Sequence, residues 1–295
     1  MSVEVQRLGA GNGASAFEAM VQGLGAADAA PAVLPAAATA AWPCRACQAR
    51  AWTPDNLARL YPARAFDLGE ESGATCTIAD LVAAGDPARY IFDALPAAGD
   101  ALLGDYAAPP GAPCAPEQDY LHYMVTSPPL RPRFRWFLVG VRGSGFVAHV
   151  DPWGTCAWNA LAHGRKRWAV LPPDTPPQAV FPGYDAGAGQ PLPSHLATAR
   201  GWFEHALPQL LRAPPPGLRC FTQEEGEVVL LPAGWWHCAE TLSPVSVGVT
   251  QNWLPREGLE RELAKLGPAS ALAAAWRSRA AAALGARGEG VGAGV

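Results

Sequence analysis

The sequence predicts a mainly β protein with flanking helices, built on a double-stranded β-helix (jelly-roll) core. Three observations carry that expectation. Between Tyr90 and Trp253 lie the short apolar or alternating runs YIFDA, RFRWFLVGV, FVAHVD, RWAVLP, GEVVLLP and SVGVTQNW, each of strand length and bounded by Gly, Pro or Asp. Helical patterns stand before and after this block, and that order of elements suits a central double sheet with helices around it. Finally, 49% hydrophobic residues and eleven Trp in 295 positions supply enough apolar surface for a substantial core.

The elements follow in chain order. Residues 1–40 form an Ala/Gly-rich extension ending in AAPAVLPAAATAAWP, read as a short Ala-rich helix with a flexible lead. WTPDNLARLYPARAFDL is a helix capped by Thr53, with Pro54 at its first position and Leu57 and Leu60 on one face. TIADLVAAG is a second helix, with Thr77 as cap and Gly85 as stop. The strand block follows, interrupted from Pro172 to Arg219 by a Pro/Gly-rich loop with one short helix around Trp202. After Pro255 the pattern returns to helix, REGLERELAKL and then ASALAAAWRSRAAAALGA, split at Gly267-Pro268. Leu259, Leu263 and Leu266 share one side of the first, either to pack on the barrel or to form a homodimer contact. The organisation expected is therefore 1–40 extension, 41–255 main domain and 256–295 helical extension.

Composition narrows the function classes. With 16% charged residues and a net charge of −4, the chain carries no global nucleic-acid footprint. Its Ala-rich stretches are broken by Pro, Asp or Arg well short of the ~18–20 apolar residues of a membrane span. Seven scattered cysteines, and an N-terminus (MSVEVQRLGA) with two glutamates and no apolar run, favour free thiols in an intracellular compartment, cytoplasm or nucleus.

The most informative stretch is HVDPWGTCAWNALAHGRKRW, His149 to Trp168. On a strand, residues i and i+2 face one way, so His149 and Asp151 can bind one ion together. A third ligand is available in GEVVLLPAGWWHCAET, where His237 follows a Pro-Ala-Gly turn onto the next strand. Two histidines and one carboxylate on one face of an octahedral ion leave three positions open, the donor set of non-haem Fe(II) oxygenases. Cys238, next to His237, points to the opposite face and is read as core. An iron oxygenase using 2-oxoglutarate must also hold the far carboxylate with a cation and a hydroxyl. Lys166 is the candidate cation: it shares a face with Trp168, while Arg165 and Arg167 share the other and stay solvated. Thr250 supplies the candidate hydroxyl, and Asn159 is a polar residue in an apolar run placed to contact the keto acid. Trp136, Trp153, Trp158 and Trp236 are available to keep the pocket dry.

In RWFLVG, HVDPWGTCAWNAL, GRKRW, LPAGWWH and TQNW the chain resembles the Jumonji-C (JmjC) family of Fe(II)/2-oxoglutarate oxygenases over residues 131–255, with weaker similarity back through WTPDNLARLY and YIFDA. It is most similar to the branch of arginine demethylases and lysyl hydroxylases related to the phosphatidylserine-receptor protein. The resemblance implies His149, Asp151 and His237 as iron ligands, Lys166 as 2-oxoglutarate anchor, Asn159 and Thr250 as further contacts, and Trp136 as a pocket-lining aromatic. It implies Fe(II), 2-oxoglutarate and O2 as reaction components and a protein or peptide as substrate, hydroxylated on a side chain or demethylated through an N-methyl group. Two departures stand out. The branch has a 2-oxoglutarate-holding tyrosine shortly after its YIFD-like strand, where this chain reads ALPAAGD with Pro96, leaving Tyr106 or Tyr123 as substitutes. One residue is also inserted around Ser243-Pro244. The alternatives are a cupin-like metal protein that does not use 2-oxoglutarate, which leaves Lys166 and Thr250 idle, and a non-catalytic interaction module. Minor features are Cys44-x-x-Cys47, with zinc-knuckle spacing but no second pair, and Arg131, Arg133 and Arg135, read as a solvated face.

Overall fold

The strand Val245–Trp253 shows how the sequence divides its side chains between two environments. Val245, Val247 and Val249 enter a hydrophobic core on one face, while Gly248, Thr250 and Asn252 alternate to the other. Strand period two enforces this split wherever both faces are covered. The same division runs through Arg135–Val141 and Cys156–His163: Phe137, Val139, Val141, Trp158, Ala160 and Ala162 join that core, and Trp136, Leu138, Ala157 and Asn159 face the other way.

The computed structural model describes residues 5–9, 30–69, 73–95, 99–113, 118–124, 133–184, 191–267 and 269–285. Pro96, Cys114, Arg131 and Pro268 lie outside the described residues. Thirteen strands are seen among them: β1 Gln6–Arg7, β2 Ala32–Leu34, β3 Phe66–Asp67, β4 Thr75–Cys76, β5 Tyr90–Ala94, β6 Arg135–Val141, β7 Gly145–His149, β8 Cys156–His163, β9 Lys166–Leu171, β10 Arg219–Gln223, β11 Val228–Leu231, β12 Trp236–Thr241 and β13 Val245–Trp253. Seven form one sheet in the order β1-β2-β11-β8-β13-β6-β5, and four form a second in the order β10-β9-β12-β7. Neighbours in space come from distant parts of the chain, as in a double-stranded β-helix, and the expected fold class is what the chain adopts.

Both predicted leading helices form, the first shorter than the sequence suggests: it ends at Leu60, which is exposed, and Phe66–Asp67 beyond it is strand. In α1, Pro54–Leu60, the Thr53 hydroxyl accepts the Asn56 N–H. In α2, Ile78–Ala84, the Thr77 hydroxyl accepts the Asp80 N–H at 3.1 Å, and Gly85 closes the helix in the left-handed region at φ 59°. Leu57, Ile78 and Leu81 from these helices, with Trp42, Trp52 and Phe66, cover the outer face of the seven-stranded sheet. Each such fully buried side chain contributes roughly 1.5–3 kcal/mol, so this layer is the main anchor of the large sheet. The outer face of the four-stranded sheet is covered by Val180, Phe181, Trp202 and Phe203, from the segment predicted as loop with one short helix. A third cluster joins α3, Arg256–Leu266, and α4, Ala271–Gly285, to Tyr120, Leu121, Met124 and Leu254. Leu259 and Leu263 are spent in that cluster, while Leu266 is exposed.

Three local readings differ from the sequence expectation. Part of the Ala/Gly-rich extension is sheet: β2 pairs with β11, and only Ala36–Thr39 turns helically, with residues 10–29 outside the described residues. CAWNALAH, unassigned in the sequence, is β8, the strand between β11 and β13. RCFTQ, which begins at the last residue of the predicted loop and is assigned no strand from the sequence, is β10, the edge of the small sheet beside β9. Ser243-Pro244, where the sequence places an inserted residue, lies in the turn between β12 and β13, which is tied back by the Leu242 N–H to the Arg165 carbonyl at 2.8 Å and by the Arg165 N–H to the Ser243 hydroxyl at 2.9 Å.

Candidate active site

The inward faces of the two sheets enclose a cavity of ≈ 260 Å³. On the small sheet, β7 ends at His149, and the chain continues extended through Asp151 before a helical turn at Pro152–Gly154. His237 on β12 is the direct cross-strand partner of His149 on β7. The histidine rings stand 4.2 Å apart between centroids, and the Asp151 Oδ1 lies 3.7 Å from His149 Nε2 and 3.8 Å from His237 Nε2. One donor atom from each of the three falls within 4.8 Å of the others, and among the described residues they are the one group of three with this property. The structure thus brings together the three residues singled out as ligands.

Both imidazoles are fixed in the same way. The Nδ1 of His149 bonds the Val147 carbonyl at 2.8 Å, and the Nδ1 of His237 bonds the Trp235 carbonyl at 3.0 Å. Carbonyls only accept, so each Nδ1 carries the proton and each Nε2 keeps its lone pair toward the shared point. Burial, reinforced by the neighbouring His237, lowers the His149 pKa to about 4, so this ligand is neutral and ready for a cation at physiological pH. A metal ion fits this donor set.

The second half of the cavity fits an anion. Lys166, 3% exposed, opens β9 and faces inward. Among the described residues its polar partner is the Tyr90 hydroxyl, to which Nζ donates at 3.1 Å, and no carboxylate pairs with it. Burial lowers its pKa to about 8. A buried ammonium without a counter-charge is costly, of the order of several kcal/mol, and its persistence here points to an anionic ligand. Across the cavity, Trp136, Thr250 and Asn159 are direct cross-strand partners on β6, β13 and β8, forming one inward row. The Asn159 Oδ1 is buried without a hydrogen-bond partner, so no protein donor locks this amide and it can turn its N–H2 toward an anion. The Thr250 hydroxyl donates to the Trp158 carbonyl at 3.0 Å, so it presents acceptor lone pairs, and not its proton, to the cavity.

Other expectations are corrected by the placement of the residues. Neither Tyr106 nor Tyr123 reaches the cavity: Tyr106 packs with Trp42, Trp52 and Trp158 behind the large sheet, and Tyr123 sits against Tyr120 in the C-terminal cluster. The tyrosine beside Lys166 is Tyr90, the first residue of YIFDA, which alternation alone places on the cavity side with Phe92. Room for it comes from Gly140, its cross-strand partner, where a Cβ would lie 2.6 Å from the Tyr90 ring. Of the four tryptophans proposed to exclude water, Trp136 lines the cavity, whereas Trp158 faces the outer core and Trp236 packs behind the small sheet. Trp153 is 39% exposed. Trp168, Phe92 and Phe146 complete the aromatic lining instead. Arg167 is not freely solvated: it pairs with the buried Glu240 and stacks on Phe203 at 4.2 Å. Cys238 points away from the site, as read, and its thiol is pushed well above its ordinary value by burial. Cys44 is buried and Cys47 exposed, and they belong to no metal-type cluster among the described residues. Gln223 was missed altogether. It accepts from Trp168 Nε1 and donates to the Asn159 carbonyl, both at 2.9 Å, tying one sheet to the other beneath the cavity.

Two predictions arise from this geometry. Tyr90→Phe removes one hydrogen bond from Lys166, worth about 1 kcal/mol; 2-oxoglutarate affinity, measured by calorimetry, is expected to fall about fivefold with the fold unchanged. The second concerns pH. The folded-state pKa of Lys166 is about 8 against an ordinary 10.5, so charging it in the folded state is penalised at all pH values below about 8. That penalty disappears as pH rises from about 8 toward 10.5, and the ligand-free protein should gain stability across this window. Affinity for a dicarboxylate, which needs the charged form, should fall across the same window. Thermal melts and binding titrations at matched pH check both signs.

Comparison with known proteins agrees with this architecture. Residues 136–253 match the JmjC domain, hydroxylase family. The chain is 32% identical over 238 residues to "Lysine-specific demethylase JMJ21" of Arabidopsis thaliana, covering 78% of this chain and 24% of that protein. It is 30% identical over 224 residues to "Bifunctional arginine demethylase and lysyl-hydroxylase psr-1" of Caenorhabditis elegans, covering 70% of this chain and 52% of that protein. It is also 29% identical over 122 residues to "2-oxoglutarate and iron-dependent oxygenase JMJD4" of Gallus gallus, covering 41% of this chain and 26% of that protein. The chain spans between about a quarter and a half of the length of these relatives. With its jelly-roll sheets and its His-Asp-His cluster, this chain carries a JmjC domain of the hydroxylase family over residues 136–253.

Proposed function

We propose that the protein is an Fe(II)- and 2-oxoglutarate-dependent oxygenase acting on a protein side chain, as a lysyl hydroxylase or an N-methyl-arginine or N-methyl-lysine demethylase. The observation that carries this reading is the pairing, in one cavity, of a three-residue metal donor set with a buried, carboxylate-free lysine. A cupin-like metal protein has no use for the second half of that pair.

In this reading His149, Asp151 and His237 hold Fe(II), while Lys166 and Tyr90 receive the distal carboxylate of 2-oxoglutarate. Asn159 offers its amide N–H2 to the co-substrate from the large sheet, Thr250, whose proton goes to the Trp158 carbonyl, lines the wall beside it, and Trp136 walls the cavity. When bound, these components and O2 supply oxidative decarboxylation of 2-oxoglutarate to succinate, coupled to oxygen insertion into a substrate C–H bond. The chain's own part is orientation: the backbone carbonyls of Val147 and Trp235 fix both imidazoles, and Lys166, held by Tyr90, fixes the distal carboxylate. Phe92, Trp136, Phe146 and Trp168 keep bulk water from the reacting centre. Hydroxylation of an N-methyl carbon gives a product that loses formaldehyde, so hydroxylase and demethylase are one chemistry on two substrates.

A protein substrate is supported by relatives named as lysine and arginine demethylases and lysyl hydroxylases. The reading divides the chain into an extension over 1–40, the catalytic unit over 41–255 and helices over 256–295. It places the protein inside the cell, on its odd number of scattered cysteines. Among the described residues no helix is long and apolar enough to cross a membrane. The test is succinate release from 2-oxoglutarate by the full chain with Fe(II) and ascorbate. Turnover that vanishes in His149→Ala and Lys166→Ala is the expected result; wild-type protein that neither turns over nor binds 2-oxoglutarate with metal present would sink the proposal.

A further inference from the structure

The three metal-type ligands are not held alike. His149 and His237 each have a side-chain hydrogen bond to a backbone carbonyl, whereas among the described residues the Asp151 carboxylate accepts no hydrogen bond and does not cap the turn that follows it. Asp151 is placed by its backbone, and therefore by the turn at Pro152–Gly154. Among the described residues, that turn holds the one non-glycine with positive φ, Trp153 at φ 62° and ψ 20°. A left-handed bulky residue persists only where its surroundings over-determine it, and such outliers are a starting point for functional hypotheses.

Full burial does not hold the conformation, since Trp153 is 39% exposed. From inside the barrel, Thr155 Oγ1 donates to the Pro152 carbonyl at 2.8 Å, and Asn252 on β13 donates to Thr155 Oγ1 at 3.0 Å. From outside, the C-terminal helices press on the same turn. The Trp153 ring meets Trp276 of α4 edge to face, at 5.9 Å and 77°. α3 approaches so closely that a Cβ at Gly258 would lie 2.9 Å from the Gly154 carbonyl oxygen. Trp276 is itself fixed, buried with Leu254, Leu259 and Leu263.

We propose that the C-terminal helices are a positioning element of the metal triad, acting on Asp151 through the Trp153–Trp276 contact. This rests on reading His149, Asp151 and His237 as metal ligands. The test is Mn(II) binding to the full chain, followed by loss of the free-ion paramagnetic resonance signal, for wild type, Trp153→Gly, Trp276→Leu, the double variant and Trp276→Phe. Trp153→Gly removes the ring while suiting the positive φ, so the relief of backbone strain offsets part of the lost packing and the fold should be retained, checked by its thermal melt. Its Mn(II) Kd should nevertheless rise about tenfold, the scale seen when the support of a metal ligand is removed. Trp276→Leu should do the same, Trp276→Phe should restore most of the affinity, and the double variant should be no worse than the worse single, because both act through one contact. If Trp276→Leu unfolds the helices, Trp153→Gly alone decides. A Trp153→Gly Kd within about twofold of wild type, far short of the usual supporting-residue effect, overturns the inference, as do strictly additive single effects. Wild type that binds no Mn(II) fails at the earlier step and removes the metal reading itself.

Discussion

Replacing Lys166 with Ala is expected to weaken 2-oxoglutarate binding about 100- to 1000-fold, equivalent to roughly 3–4 kcal/mol for removing one partner of a buried charge pair. The size follows from isolation. Among the described residues no other cationic side chain lines the cavity, and Tyr90 can give the ligand a hydroxyl but not a charge. The same isolation makes an opposite prediction for stability. Without ligand, the ammonium is buried with no counter-ion among the described residues, so Lys166→Met, of similar length and apolar, should add ~1–2 kcal/mol of stability to the ligand-free protein and raise its melting temperature. Loss of binding with gained stability is the signature of a residue kept for its ligand. A structural lysine would lose stability in both variants, and a differential scanning measurement beside the titration separates the two.

The second large effect belongs to the metal donors. Asp151→Ala and His237→Ala should lower metal affinity by more than the ~100-fold upper range found for residues that merely support ligands. Among the described residues Asp151 is the one carboxylate lining the cavity, so none of them replaces its charge. A direct readout is the melting temperature with added Mn(II). Wild type should gain ~2.7 kcal/mol at a hundredfold excess over Kd, and each variant should show no shift at the same concentration. A full shift in Asp151→Ala would remove that residue from the ligand set.

Much of this site could be read from the sequence because strand alternation is a strong rule. His149, Lys166, Asn159, Thr250 and Trp136 each stand at a position whose facing follows from period two, and all of them line the cavity. Tyr90 was equally legible by that rule, since it shares a face with Phe92, yet the expectation had fixed on the residues after YIFDA. What alternation does not give is which strands become neighbours. That Trp158 faces the helical layer, that Gln223 bridges the sheets and that Arg167 meets Glu240 all depend on pairings between residues 55 or more apart in the chain. Local composition also misled where Pro and Gly surround short strands. β2 and β10 are strands because a sheet edge was there to receive them, and nothing in AVL or RCFTQ alone demands it.

The inward row on β13 has a consequence for how the gene can change. Along this strand the valines at 245, 247 and 249 answer to volume, while Thr250 and Asn252, one step out of phase, answer to chemistry. Aliphatic exchange should be tolerated on the first set and rejected on the second. Insertions sort even more sharply. An added codon in the turn at Ser243-Pro244 leaves the facing of both strands unchanged, but one added after Val247 would turn Thr250 and Asn252 toward the helical core and aim Val249 at the cavity. The reading frame of the pleat, a few residues long, is therefore as much a part of the site's heredity as the identity of any ligand.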